Sequence, residues 1–407
     1  MDLETAIASP EYLVDPHRIN HRLRAEEPVH WSSTWDGWLV SRYADAKAVL
    51  DRHSQFSSGS QVTKRLEYLL RDLPDEARAS LMKFWGFQGL FQSDPPSYLR
   101  YRNQMIKALT PRLEKVEPRV QEVTNGLLDR ALEAGHIDLV ADFGAKLPST
   151  ILLELLGIAP DEWSMLMQWA DTLTQTFSDP TGKKALESTA TLEQGFVWAR
   201  RVLEERRSNP SDDILSIIAT VGDFETVDER DILSTAVFLL TAGQNTLASL
   251  IPVMVYLLLK YPQQLKTLTE QPDTLAGAVE EALRIESPIQ QLGRVVVQDV
   301  ELGGQQLKAG DMVFSILGAA NRDPAVFENP DQFDIRRVNL SRHIAFGHGV
   351  HLCVGASLAR LEARLAVPSI LQRLPGLELD GEIAWQPNTA FRVPTTLPLR
   401  FATTAVY

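Results

Sequence analysis

Cys353 is the only cysteine among 407 residues. It sits in the run AFGHGVHLCVGASLAR, Ala345 to Arg360, with His348, His351, Gly347, Gly349 and Gly355. The glycines let the backbone turn tightly and approach another group. A helix is expected from near Gly355, and a sulfur just before a helix start is biased toward the thiolate by free amides and the helix dipole. A thiolate placed there can be a nucleophile, a redox sensor or a metal ligand; a lone cysteine is otherwise a small buried hydrophobe. A nucleophile needs a base and oxyanion donors, and no acid near the two histidines orients them. A zinc centre takes about three or four ligands, which two histidines and one thiolate at this spacing supply poorly. A haem iron needs one thiolate, tuned by amides around the sulfur.

Two other stretches hold polar groups in unexpected places. Ile232 to Leu259 is 28 residues without a charge, longer than the about 20 apolar residues that cross a bilayer. Ser234, Thr235, Thr241, Gln244, Asn245, Thr246 and Ser249 lie within it, with Gly243 and Pro252, and favour a buried core helix over a membrane span. Polar groups on such a helix need partners or a purpose, so the helix is a place to look for a site. Glu281 and Arg284, in EALR, are three apart and share a helix face. Such spacing usually makes a solvated surface pair.

Together these motifs resemble the cytochrome P-450 family. The run around the cysteine matches its ligand loop at Phe346, Gly349, Cys353 and Gly355, with Gly347 inside the turn. The resemblance implies that Cys353 is the axial ligand of a haem b iron. It also implies that Glu281, Arg284 and Arg337, the last from FDIRR, form a buried structural network that pins the loop before the haem. AGQNT on the uncharged helix matches the family's Ala-Gly, any residue, acid, Thr. Ala242 and Gly243 would then leave room for dioxygen, and Thr246 would donate a hydrogen bond to it and help deliver protons. The haem propionates would be held by Arg102 from DPPSYLRYR, by Arg294 from QLGR and by His351.

The chain departs from the family twice. Asn245 stands where the acid is usual and cannot ionise, so protons must arrive through water, substrate or another residue. Tyr98 stands where a histidine is usual, keeping a donor but not its charge. By position relative to these motifs, Phe238, Thr241, Gln290 and Phe391 would wall the substrate pocket, and the aromatic run Phe84 to Phe91 would cap it.

These residues must be positioned by a mainly helical scaffold with small sheets. The expected architecture is one domain over residues 1–407, with a long central helix beside a buried haem. PVHWSSTWDGWLVSRY reads as a hairpin, YADAKAVLDRH as a short helix, and YLRYRNQMIKAL as a helix. The uncharged helix opens on a TVDE capping box, Thr226 to Glu229, and stops before Pro262. A helix carrying Glu281 breaks at Pro288. Strands follow within residues 293–316, then loops to the cysteine, a helix to about Arg373, and short strands to the end.

One cysteine excludes an internal disulfide and favours a reducing compartment. A net charge of −13 disfavours general nucleic-acid binding. The N-terminal MDLETAIASPEYLVDP lacks a basic start with an apolar core, so a cytoplasmic protein without a membrane anchor is expected, acting as a monomer. The leading reading is a haem-thiolate monooxygenase that inserts one oxygen atom into a hydrophobic polyketide- or terpenoid-like compound. No flavin or iron–sulfur segment is present, so a ferredoxin-like donor and its reductase would bring electrons, docking near Arg342, Arg360 and Arg364. Asn245 motivates a second reading, peroxide-driven oxidation, coupling or rearrangement. A haem sensor or carrier is a third, against which the Ala-Gly…Thr pattern argues.

Overall fold

The computed structural model describes residues 1–59, 93–178, 188–220 and 229–402, with parts of 61–79. The chain is mainly helical, with small sheets at the sides. Its uncharged stretch is the central helix Glu229–Lys260, about 48 Å long at 1.5 Å per residue. Leu250, Ile251, Val253, Met254, Val255, Leu257 and Leu258 are each at most 3% exposed, so this half of the helix is buried all round. That burial places it in a protein core. Among the described residues no helix is long and apolar enough to cross a membrane. Thr226 of the capping pattern lies outside the described residues. At the other end the helix stops at Lys260, and Pro262 opens the next one.

The central helix packs against the helices Lys146–Leu156, Trp163–Ser178 and Thr189–Ser208, and against Ala356–Arg373, the helix that follows the cysteine. Pro252 lies inside it and has no N–H to give the carbonyl of Ala248. Gly144 fills this place: a Cβ there would stand 2.5 Å from Pro252 Cγ and 2.7 Å from the Ala248 oxygen. Only a glycine lets the two segments close.

YLRYRNQMIKAL begins a far longer helix than its pattern indicates, Ser97–Ala134. It runs along Ala356–Arg373, joined by Gln121 Nε2 to Ser369 Oγ at 3.1 Å and by Arg373 to the Asn125 carbonyl at 3.1 Å. The expected hairpin is present: Val29–Ser32 pairs antiparallel with Gly37–Val40. It is the edge of a five-stranded sheet that continues through Met312–Ile316, Gln291–Val296 and Phe56–Ser57. One pairing in that sheet is parallel, Gly37–Val40 with Met312–Ile316. The Tyr43–Asp51 helix packs on the same sheet. Near the C-terminus, Pro398–Arg400 pairs with both Ile137–Asp138 and Glu378–Leu379. The aromatic run Phe84 to Phe91 lies outside the described residues.

Candidate active site

The loop before the Ala356–Arg373 helix is held in shape by its own backbone. Gly347 and Gly349 have φ of 74° and 69°, where side chains are strained. A Cβ on Gly349 would meet the Leu50 carbonyl at 2.9 Å, so the glycine lets the loop press on the Tyr43–Asp51 helix. The N–H of Cys353 donates to the Phe346 carbonyl at 3.0 Å. Beyond the cysteine, the amides of Gly355 and Ala356 donate toward its sulfur. Cys353 is an exposed residue, yet surrounding protein pushes its thiol pKa up. The two facts agree if the thiol opens into a recess rather than onto the outer surface. The two amides, with the charges of Arg102 and Arg360, act the other way and favour thiolate.

A basic cluster adjoins this loop. Tyr98 stacks on His351, ring centroids 4.0 Å apart. The Tyr98 hydroxyl accepts from Arg102 at 3.1 Å, and Arg102 also donates to the Leu352 carbonyl. Arg294 is 4% exposed and donates to the neighbouring Gly293 carbonyl at 2.6 Å. Burial lowers the Arg294 pKa to about 10, against the opposing pull of Asp94 and Tyr98. Burial, then the Arg294 charge, pushes the His351 pKa down to about 4. His351 Nε2 is buried and has no hydrogen-bond partner. A buried guanidinium beside an imidazole nitrogen without a partner fits a bound carboxylate.

The glutamate–arginine spacing becomes a buried network. Glu281 and Arg284 are both 0% exposed, with Arg284 Nε 2.6 Å and its terminal nitrogen 2.8 Å from the two carboxylate oxygens. Arg337 Nε donates to both oxygens at 3.2 Å. Arg284 also donates to the carbonyls of Asn321 and Pro330, each at 2.8 Å, and the Asp334 N–H donates to Glu281 at 2.9 Å. The pair therefore fastens the segment from Asn321 to Arg337, which leads into the cysteine loop.

The central helix carries the remaining residues. Phe238 and Thr246 are half-buried, and Thr241, Ala242, Gly243 and Asn245 are helical in backbone with side chains outside the described residues. Three residues after Thr246, Ser249 Oγ donates to the Arg392 carbonyl at 3.0 Å. This brings the C-terminal loop against the helix, and Phe391 of that loop bridges to Ile289. Gln290 is buried, and its Nε2 donates to the Ser287 carbonyl at 2.7 Å. Its Oε1 lies where a Cβ on Gly318 would be 2.1 Å away.

The family's sequence model, described as cytochrome P-450, matches residues 161–382. The chain is 36% identical over 411 residues to the cytochrome P-450 monooxygenase PikC of Streptomyces venezuelae, covering 98% of this chain and 94% of that one. It is 34% identical over 373 residues to the mycinamicin IV hydroxylase/epoxidase of Micromonospora griseorubida, covering 89% of each. Among solved structures it is similar to P450BioI in complex with an acyl carrier protein ligated to hexadec-9Z-enoic acid. That match has a TM-score of 0.87 and 34% identity, over 97% of this chain and 100% of the other. The chain belongs to the cytochrome P-450 family. It is an oxidoreductase, a haem-thiolate monooxygenase, and haem is its cofactor. In this P-450 the residues present fit that group: a sulfur with two amides on one side, and beside it the buried Arg294 cation and a His351 ring nitrogen without a partner.

Several residues of the P-450 site escaped the sequence reading. Asp94, of DPPSYLRYR, accepts from the N–H of Ser58 at 2.9 Å and from the Ser57 hydroxyl, so it ties the Arg102 segment to the sheet. Glu280, beside Glu281, pairs with Arg360 at 2.6 Å and with His343 at 2.8 Å. Burial raises the Glu280 pKa, but these two partners outweigh it and hold it at about 2. Arg360 also lies over the Phe346 ring, 4.6 Å from its centroid. His348 does have an acid, Asp51, at 3.3 Å, one that no reading of the loop alone could find. Glu286 gathers His17, Arg322 and Arg392 at 3.0, 3.1 and 3.2 Å. Among the described residues, no group of three or more His, Cys, Asp or Glu could hold a further metal ion.

Proposed function

We propose that this P-450 inserts one oxygen atom into a hydrophobic natural product of the polyketide or terpenoid kind, by hydroxylation or epoxidation. The observation that carries the chemistry is the Cys353 sulfur facing the amides of Gly355 and Ala356 beside the Arg102–Arg294–His351 cluster. The relative named a hydroxylase/epoxidase supports the reaction type. When bound, haem supplies reductive activation of dioxygen, with two electrons and two protons yielding one inserted oxygen atom and one water. Cys353 would hold the iron, and Arg102, Arg294, His351 and Tyr98 would hold the propionates. Thr246 Oγ would hold and pass a proton on the central-helix side. Ala242 and Gly243 would leave space next to it. Asn245 would orient water without supplying a proton of its own.

The substrate would lie between the central helix at Phe238, Thr241 and Thr246 and the C-terminal loop at Phe391, with Gln290 behind. Glu281, Arg284 and Arg337 are structural in this reading. The protein would act as one domain and as a monomer in the cytoplasm. Electrons would come from a separate ferredoxin-like protein and its reductase, docking on the cysteine face at Arg342 and Arg364; Arg360 is already neutralised by Glu280. Screening polyketides, terpenoids and carrier-linked acyl chains for a low-to-high-spin shift of the haem spectrum tests the substrate class. A shift with acyl chains alone would replace it. Asn245 favours one second reading, peroxide-driven turnover, which would show as product with peroxide but none with reductase and dioxygen.

A further inference from the structure

His53 lies on the turn that joins the Tyr43–Asp51 helix to the Phe56–Ser57 strand. That turn is a junction. Its strand pairs with Arg294's strand through Phe56 with Val296 and Ser57 with Val295, and the Gln55 carbonyl accepts from the Val297 N–H at 2.8 Å. Just beyond it, Ser57 and Ser58 hold Asp94, which leads the chain to Tyr98 and Arg102. His53 Nδ1 is buried and has no hydrogen-bond partner, and the same is true of His351 Nε2. The His53 charge acts on His351, so two buried ring nitrogens are left open beside one basic cluster, in which Arg294 donates to the Gly293 carbonyl and Arg102 to Tyr98 and the Leu352 carbonyl. An unmet buried polar atom is costly unless a ligand or water completes it. Meanwhile the family's usual histidine is absent from position 98, where Tyr98 accepts from Arg102 and stacks on His351.

We propose that His53 is a direct carboxylate ligand of the cofactor, supplying from the Tyr43–Asp51 side the imidazole that position 98 lacks. This inference rests on the haem-thiolate assignment. The test is the rate at which the ferric holoprotein loses haem to excess apomyoglobin, for wild type, His53→Ala and His53→Gln. Each protein is loaded once with haem and once with haem dimethyl ester, whose carboxylates can no longer take a charge-assisted hydrogen bond. With haem, His53→Ala is expected to release it about 10- to 100-fold faster, the scale of one hydrogen bond to a charged group. With the dimethyl ester, wild type and variant should match. Equal rates with haem would overturn the proposal, and so would an equal acceleration with the ester, which would mean general loosening. His53→Gln, which keeps a donor of similar size, should fall between the two and serves if His53→Ala fails to fold. Failure of wild type to take up haem through Cys353 would instead refute the parent reading.

Discussion

Around Cys353 the polar groups are tied to distant elements by buried charges, whereas the central helix meets the C-terminal loop through the neutral hydroxyl of Ser249. The cysteine loop is braced by Arg102, by Gly349 against Leu50, and by the Arg360–Glu280–His343 set. Behind it stands the buried Glu281–Arg284–Arg337 network. On the central helix, among the described residues, Phe238 and Thr246 are half-buried and Ser249 donates to the C-terminal loop. The difference teaches where variation is tolerable. The sulfur side must reproduce one geometry, because each buried charge loses its partner if an element moves. The helix side carries its departure from the family pattern, Asn245, inside a continuous helix.

The strongest way to break this comparison is at Glu281. Glu281→Gln would leave Arg284 and Arg337 facing a neutral amide in a buried site, at a cost of about 3–5 kcal/mol. We expect little soluble holoprotein, measured by haem content and by the urea midpoint. Unchanged stability would mean that the network does not anchor the loop. On the helix side, Thr246→Ala should leave the urea midpoint nearly unchanged. It should cut product formed per dioxygen consumed by roughly 10- to 100-fold, in line with a lost proton-transfer group. Asn245→Asp should raise that ratio.

Glu362 sharpens the contrast from inside the helix that follows the cysteine. It is 1% exposed, its Oε1 has no partner, and burial raises its pKa from 4.5 to about 8. The folded state thus prefers the acid form. Its contribution to stability is full below about pH 4.5 and is lost as pH rises through about 8. Glu362→Gln should flatten the fall in unfolding midpoint over this window; an unchanged pH profile would show that Glu362 is solvated. The smallest effect is expected at Tyr98. Tyr98→Phe removes one acceptor for Arg102 and should cost about 1 kcal/mol, read as a modest drop in thermal midpoint.

Local spacing made part of this site legible. Glu281 and Arg284 share a helix face by arithmetic, and the glycines around Cys353 announced a tight loop. The core role of the central helix was readable from its polar residues, although its packing partners were not. Arg337 could be assigned only through motif position, because 56 residues separate it from Glu281. Nothing in the sequence joins His17 to Glu286, 269 residues apart, or Asp94 to the serines of another strand. Such contacts depend on how the sheet and helices pack, which carries no local periodicity. Gln290 was expected by motif position alone, and its bond to the Ser287 carbonyl and its closeness to Gly318 are tertiary details that no spacing announces.

The central claim is that Cys353 ligates haem iron as a thiolate. The most direct measurement is the absorption spectrum of the reduced, carbon-monoxide-bound protein, for wild type and Cys353→Ala. The wild type should show the red-shifted Soret band diagnostic of thiolate ligation, and the variant should lose it. A wild-type band at the position given by histidine ligation, or a thiolate band that survives in Cys353→Ala, would contradict the account.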